Sequence, residues 1–167
     1  MADNFGLKIG LEGEKEFKKA LSEINQSFKV LGSEMKVVTS QFDKNDNSVQ
    51  ALTARNQVLN KEIEAQKQKI ETLRAALANA SESFGENDRR TQSWQIQLNN
   101  ATAALNDMER ELGRNNTALD EAEREMDDVA DRADDMEEKI DDAGDAADKS
   151  SGKFEKFGSV LKGIRAA

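Results

Sequence analysis

Cysteine, histidine, proline and tyrosine are absent from this chain of 167 residues, and aromatic residues make up only 5% of it. Without cysteine or histidine, the chain can form no disulfide, no thiolate nucleophile, no imidazole base and no Cys/His zinc site. An enzyme would then depend on paired carboxylates in a pocket, which thin helices do not offer, so we expect neither catalysis nor a cofactor. The absence of proline removes the strongest helix breaker from the whole sequence.

Apolar bulk is also scarce, because hydrophobic residues make up 37% of the chain and charged residues 34%. This balance is typical either of disorder or of extended helices that bury a narrow apolar seam. No run of about 18 apolar residues exists, so the sequence predicts no membrane-spanning helix in this stretch.

The seam is present as a repeat of seven residues that runs through most of the chain. With Ile63 and Ile70 at position a, apolar residues recur at positions a and d from Phe17 to Ile164. Such a repeat keeps one face of a helix against a partner helix. The predicted coiled-coil seam comprises Leu52, Leu59, Ile63, Ile70, Leu73, Leu77, Leu98, Leu105, Leu112 and Leu119.

Seven polar residues interrupt the repeat, and two of them, Asn56 at a and Gln66 at d, lie within the second predicted helix. A buried amide costs stability unless it pairs across the interface, so we expect these two residues to set register and strand number. Trp94, the only tryptophan, occupies a d position, where packing is the simpler interpretation than a binding anchor.

The net charge is −9, and it is concentrated between Asp120 and Asp148, which hold fifteen acidic and three basic residues. Paired aspartates recur there at the outer positions b and c, which predicts a solvated face. Weak binding of divalent ions is the alternative, because hard cations take several carboxylate oxygens. The chain has no broad basic surface for nucleic acid, and we expect no specific nucleic-acid binding.

The order of elements is predicted as follows. Leu7, Ile9 and Leu11 alternate with polar residues and glycine, which favours a short extended segment over residues 1–13. Helices are then predicted over residues 14–43, 48–84 and 88–148, the last being the acidic one. Residues 149–167 are predicted to form a flexible joint and a basic amphipathic helix.

Two polar stretches separate the predicted helices, at residues 43–48 and 85–88. Their Asp, Asn, Ser and Gly residues favour helix ends, and hence hairpins that fold back. The frame of seven nevertheless keeps its phase through both stretches, which favours one long, nearly continuous coiled coil. The predicted fold is therefore all-α, as an extended coiled coil or, alternatively, as helical hairpins that fold back at these two points.

The last predicted helix carries an apolar face surrounded by lysine and arginine. Such a face suits a membrane surface or a partner helix. It is formed by Phe154, Phe157, Leu161 and Ile164.

Four stretches, taken in order, resemble the N-terminal region of tail tape measure proteins from tailed phages and prophages of Gram-positive bacteria. The first two are LKIGLEGEKEFKKALSEINQSFKVLGSEMK and VTSQFDKNDNSVQALTARNQVLNKEIEAQKQKIETLRAAL. The others are WQIQLNNATAALNDMERELGRN and MDDVADRADDMEEKIDDAGDAADKSSGKFEKFGSVLKG. The resemblance covers nearly the whole chain and lies in the order of these phrases rather than in a catalytic motif.

This resemblance implies a structural role in the virion tail. Copies of such a protein associate as helices in the lumen of the tail tube, and the tube protein polymerises around them with help from tail assembly chaperones in the host cytoplasm. The length of the protein then sets the length of the tail. Family members are usually longer, so we expect this chain to be the first part of a longer protein. The alternatives are a membrane-associated coiled coil and a cellular coiled-coil scaffold or adaptor.

Overall fold

The computed structural model describes the backbone of residues 3–165 and the side chains of residues 12–147. It contains three helices: α1 (Asp3–Gln41), α2 (Val49–Phe84) and α3 (Arg89–Arg165). No strand occurs between residues 3 and 165. The all-α prediction is confirmed.

A short loop, residues 42–48, connects the end of α1 to the start of α2. Ser48 is the N-cap of α2, with φ −60° and ψ 153°, and its hydroxyl accepts a hydrogen bond from the Ala51 amide at 3.3 Å. The Asp46 carboxylate in turn accepts the Ser48 amide at 2.8 Å. Arg55, two turns into the helix, donates to the carbonyl oxygens of Asp46 and Asp43. The loop is thus held by a cap on one side and by a guanidinium on the other.

A tighter connection, residues 85–88, joins α2 to α3. Gly85 has φ 89°, a conformation that side chains rarely adopt, and its amide donates to the Ser81 carbonyl at 2.9 Å. The Thr91 hydroxyl donates to the Gly85 carbonyl at 2.7 Å, while Asp88 accepts the Arg90 amide at 2.8 Å. These bonds satisfy backbone groups that a helix end leaves open and fix the reversal of the chain.

Contacts across the helices show that α2 runs antiparallel to both of its neighbours. Toward α1, the Lys61 ammonium lies 2.9 Å from the Glu34 carboxylate, and Lys69, further along α2, donates to the earlier Asn25 at 3.2 Å. Toward α3, Asn56 donates to Asn116 at 2.9 Å. Residues 12–122 therefore form a folded-back three-helix bundle.

The expectation of one long, nearly continuous coiled coil is wrong for residues 12–122, and the alternative of helical hairpins is correct there. A repeat of seven reports which face of a helix is apolar, whereas the loops decide which helix covers that face. Because both connections keep the phase of the repeat, the pattern alone did not distinguish the two folds.

The core lies where the three helices meet. Its main cluster combines residues of all three helices: Leu21, Ile70, Leu73, Ala76, Ala80, Trp94 and Ala101. Among residues 12–147, thirteen of the sixteen buried side chains occupy positions a or d of the predicted frame. The repeat therefore identified the core correctly, although the core lies within one chain.

Two predicted boundaries are wrong. The segment 1–13 was expected to be extended, but α1 begins at Asp3. Leu7 and Leu11 are also four residues apart, which is a helical spacing, and three alternating residues were too few to decide. The joint expected near residue 149 is likewise absent, because α3 continues to Arg165. Its Ser and Gly residues lower helix propensity without ending the helix.

The chain divides into two compact units, Met1–Ala122 and Glu123–Ala167. The first, unit 1, contains the bundle. The second, unit 2, consists of the C-terminal half of α3, and every described side chain in it, from residue 123 to residue 147, is exposed.

Candidate interaction surface

The predicted seam falls on the inside of the bundle. Five of its members are buried and contact helices of the same chain: Leu52, Leu59, Ile63, Ile70 and Leu73. The other five are half-buried: Leu77, Leu98, Leu105, Leu112 and Leu119. A surface that was expected to bind other copies is therefore largely occupied by the chain itself in unit 1.

The two seam amides pair α2 with α3. Gln66 is 4% exposed and donates from Nε2 to the Ala101 carbonyl at 2.8 Å. Asn56 is 8% exposed and donates from Nδ2 to Oδ1 of Asn116, while its own Oδ1 accepts no hydrogen bond from the described residues. Each amide ties one position of α2 to one position of α3, which is the geometry that fixes a register.

Sequence reasoning missed a second apolar face of α2. Ala51 and Val58, both at position c, and Ala76, at position g, are 0%, 5% and 0% exposed. As the central helix, α2 is covered on two sides, so a single a/d seam does not describe it. The seven-residue spacing of Ala51, Val58 and Ala65 was the available signal.

Open grooves flank the bundle. One groove of about 580 Å³ lies between α1 and α2 and is lined by Val30, Leu31, Lys61 and Glu64 among others. Val30, on the α1 side of this groove, is 50% exposed, and Val37, which lines a separate groove further along α1, is 56% exposed. The Trp94 indole is 3% exposed and belongs to the core cluster, in keeping with a packing role.

Charged residues where α2 meets α3 include one unfavourable pair of carboxylates and one favourable contact at the loop between the helices. Burial raises the pKa of Glu62, and the nearby carboxylate of Glu111 raises it further, so this α2–α3 contact is electrostatically unfavourable at neutral pH. At the second loop, hydrogen bonds from Arg90 lower the pKa of Asp88 to about 2. The Arg90 guanidinium also lies 3.4 Å from the centroid of the Phe84 ring, which joins the end of α2 to the start of α3.

Unit 2 presents apolar side chains to solvent. Met126, Val129, Met136 and Ile140 are 59%, 64%, 63% and 65% exposed, and all occupy a or d positions. The paired aspartates between them lie at outer positions. In the part of the chain whose side chains are described, no group of three or more acidic residues is arranged to hold a metal ion.

Four predicted residues of the basic face lie outside the described side chains, although their backbone belongs to α3: Phe154, Phe157, Leu161 and Ile164. Among the residues that the structure describes, no helix has a stretch apolar enough to cross a membrane.

Comparisons with known proteins place the chain in no family. No family model, no curated protein and no solved structure matches it. What the fold and surface define is a class of architecture only: a folded-back helical bundle and a further helical segment with an unpartnered apolar face.

Proposed function

We propose that this chain is a structural component of a phage tail, part of a tape measure protein that scaffolds assembly of the tail tube and sets tail length. The observation that carries the proposal is α3, a single helix of 77 residues. A helix rises 1.5 Å per residue, so the residue count of a helical segment converts directly into distance. The resemblance described above supplies the tail as the context for such a spacer.

Composition and surface chemistry support a structural role rather than an enzymatic one. Histidine and cysteine are absent, and the titratable side chains that line the grooves beside Leu31 and beside Trp94 are lysines and glutamates. The proposed partners are further copies of this chain, the tail tube protein and the tail assembly chaperones. The proposed location is the lumen of the tail tube, after assembly in the host cytoplasm.

The folded-back bundle is shorter than a straight helix of the same residues, so the tape measure role of the whole chain requires a change of conformation. A ruler made of the whole chain has to straighten the loops at residues 42–48 and 85–88 during assembly. The preserved phase of the heptad frame supports such a change, because the a and d residues that form the core of the bundle would lie on one continuous stripe in a straight helix.

The test is a change of length that leaves unit 1 intact. Deletion of residues 127–140 removes two heptads from unit 2 and should shorten tails by about 21 Å, and duplication of the same residues should lengthen them by about 21 Å. Both changes are made in the genome that encodes this chain, and tails are measured by averaged electron micrographs. The control replaces the same fourteen residues with two neutral helical heptads, which should leave the length unchanged. Tails of equal length in the deletion and the duplication would sink the ruler role of this segment.

The fold-back itself favours a second candidate, a cellular coiled-coil scaffold or adaptor, because a bundle that stays closed presents grooves rather than length. Affinity purification of the chain from cells that produce tails separates the two. Recovery with the tube protein and chaperones supports the tail role, whereas recovery only with non-viral proteins supports the adaptor.

A further inference from the structure

One apolar surface of the described chain lacks a partner, and the sequence around it specifies what would cover it. We call it the 126–147 stripe, and it consists of the a and d residues of unit 2: Met126, Val129, Ala133, Met136, Ile140, Ala143 and Ala147. All seven are exposed, with four large side chains between 59% and 65% exposed. The stripe continues, in the same frame, the seam that α3 packs against α2 in unit 1.

The bundle register explains why α2 leaves this stripe bare. Asn56 pairs with Asn116, and α2 begins at Val49, seven residues before Asn56. Because the helices are antiparallel, that start lies level with the end of unit 1, seven residues beyond Asn116. Helix α2 therefore covers α3 as far as the end of unit 1.

The residues that flank the stripe indicate the orientation of a partner helix. In the same frame, Arg132 and Lys139 occupy g positions and Glu137 occupies an e position. In a parallel coiled coil, each g residue faces the e residue five positions later on the other strand, so Arg132 of each copy meets Glu137 of the other. In an antiparallel pair whose stripes overlap fully, g faces g and e faces e, which brings Arg132 close to Lys139 of the other copy. The charges favour a parallel second copy.

Of the other charged residues beside the stripe, Glu125 and Lys139 at g face Ala130 and Gly144 of the other copy in a parallel pair, and Glu123 at e precedes the stripe. Between Glu123 and Ala147 there are twelve acidic and three basic residues, and the paired aspartates lie at b and c. These positions are on the outside of a two-stranded coiled coil. At about 0.15 M salt, where the screening length is about 8 Å, outer charges repel only weakly across the pair.

We propose that the 126–147 stripe binds the same stripe of a second copy, in register and in parallel, as a two-stranded coiled coil flanked by two Arg132–Glu137 ion pairs. This interaction surface lies in unit 2 and leaves the bundle of unit 1 folded. It does not depend on the tail role and applies equally to an adaptor.

A pair of charge reversals in the intact chain tests the proposal. Arg132→Glu brings two carboxylates together at each flank, and Glu137→Arg brings two guanidinium groups together, so each variant alone should dimerise about tenfold more weakly than the wild type. An equimolar mixture of the two should recover wild-type affinity, because each strand then supplies the complement of the other. Arg124→Glu and Glu138→Arg change the net charge equally at the outer f position and should have little effect, alone or mixed.

Affinity is measured by analytical ultracentrifugation, where we expect a species of twice the 18.5 kDa chain mass. The lack of native cysteine makes single-cysteine variants clean reports of orientation. Met136→Cys should form a disulfide-linked dimer on mild oxidation, because equivalent d positions are adjacent in a parallel pair. Glu138→Cys, on the outer face, should form little. A monomer at all concentrations, a mixture no tighter than the single variants, or equal cross-linking of the two cysteine variants would overturn the proposal.

Discussion

Truncation of Leu73 provides the most direct measure of whether the three helices share one core. Leu73 is 0% exposed and belongs to the cluster that also contains Leu21 of α1 and Trp94 of α3. Leu73→Ala removes the branched end of the side chain and leaves a cavity between three helices that are each fixed by other contacts. Because the surrounding side chains can fill this cavity only in part, we expect the unfolding free energy to fall by about 3 kcal/mol.

That loss is a large fraction of the stability of the bundle. Domains of this size have unfolding free energies of about 5–15 kcal/mol, so Leu73→Ala should lower the urea midpoint clearly without abolishing folding. The assay is urea unfolding followed by both helix circular dichroism and Trp94 fluorescence, because the buried indole reports on the shared cluster. Leu73→Val, a smaller truncation, serves as a second variant if the alanine form is too unstable to measure.

The matched control is Ile96→Ala, which truncates an aliphatic side chain that is 59% exposed on α3. It should change stability by no more than about 0.5 kcal/mol. In one continuous helix, Leu73 and Trp94 would be about 32 Å apart and would share no core. Equal effects of Leu73→Ala and Ile96→Ala, or a solvent-exposed Trp94 in the native protein, would refute the bundle reasoning.

Two further predictions concern the contact of α2 with α3. Asn56→Leu should raise the unfolding free energy by about 1 kcal/mol, because it removes a buried amide oxygen that accepts no hydrogen bond from the described residues. Asn116, its partner, is exposed and can bond to water instead. A loss of stability in urea titration would contradict this prediction. Glu62→Gln should stabilise the protein at pH 7 by less than about 1 kcal/mol, since the side chain is only partly buried and solvent screens its charge. The pKa of Glu62 is raised in the folded protein, so the side chain is neutral in both the folded and the unfolded state below about pH 4.3 and costs no stability there. The cost appears as pH rises through the folded pKa. The stability gained by Glu62→Gln should therefore vanish in acid. Glu64→Gln, at an exposed neighbouring position, is the control. An equal gain in stability for Glu64→Gln, or a gain for Glu62→Gln that persists in full in acid, would show that the charge of Glu62 does not destabilise the α2–α3 contact.

Much of the fold was predictable because local signals agree with tertiary packing. The predicted span of the second helix, 48–84, differs from α2 by one residue at its start, since Ser48 and Gly85 provide explicit capping chemistry. The direction of the chain after each cap was not predictable from the heptad repeat, because the repeat shows which face of a helix is apolar but not which helix packs against that face. The pairing of Asn56 with Asn116 was also out of reach, because an exposed asparagine at an e position carries no periodic signal.

The folded-back register also limits how this protein can change in size during evolution. A heptad inserted into α2 would need compensating heptads in α1 and α3, since Lys61 with Glu34 and Asn56 with Asn116 hold the three helices in step. Between residues 123 and 147, seven residues can be gained or lost from α3 alone without displacing any of these pairs. Related genomes should therefore preserve the size of the bundle and vary by whole heptads in the acidic segment.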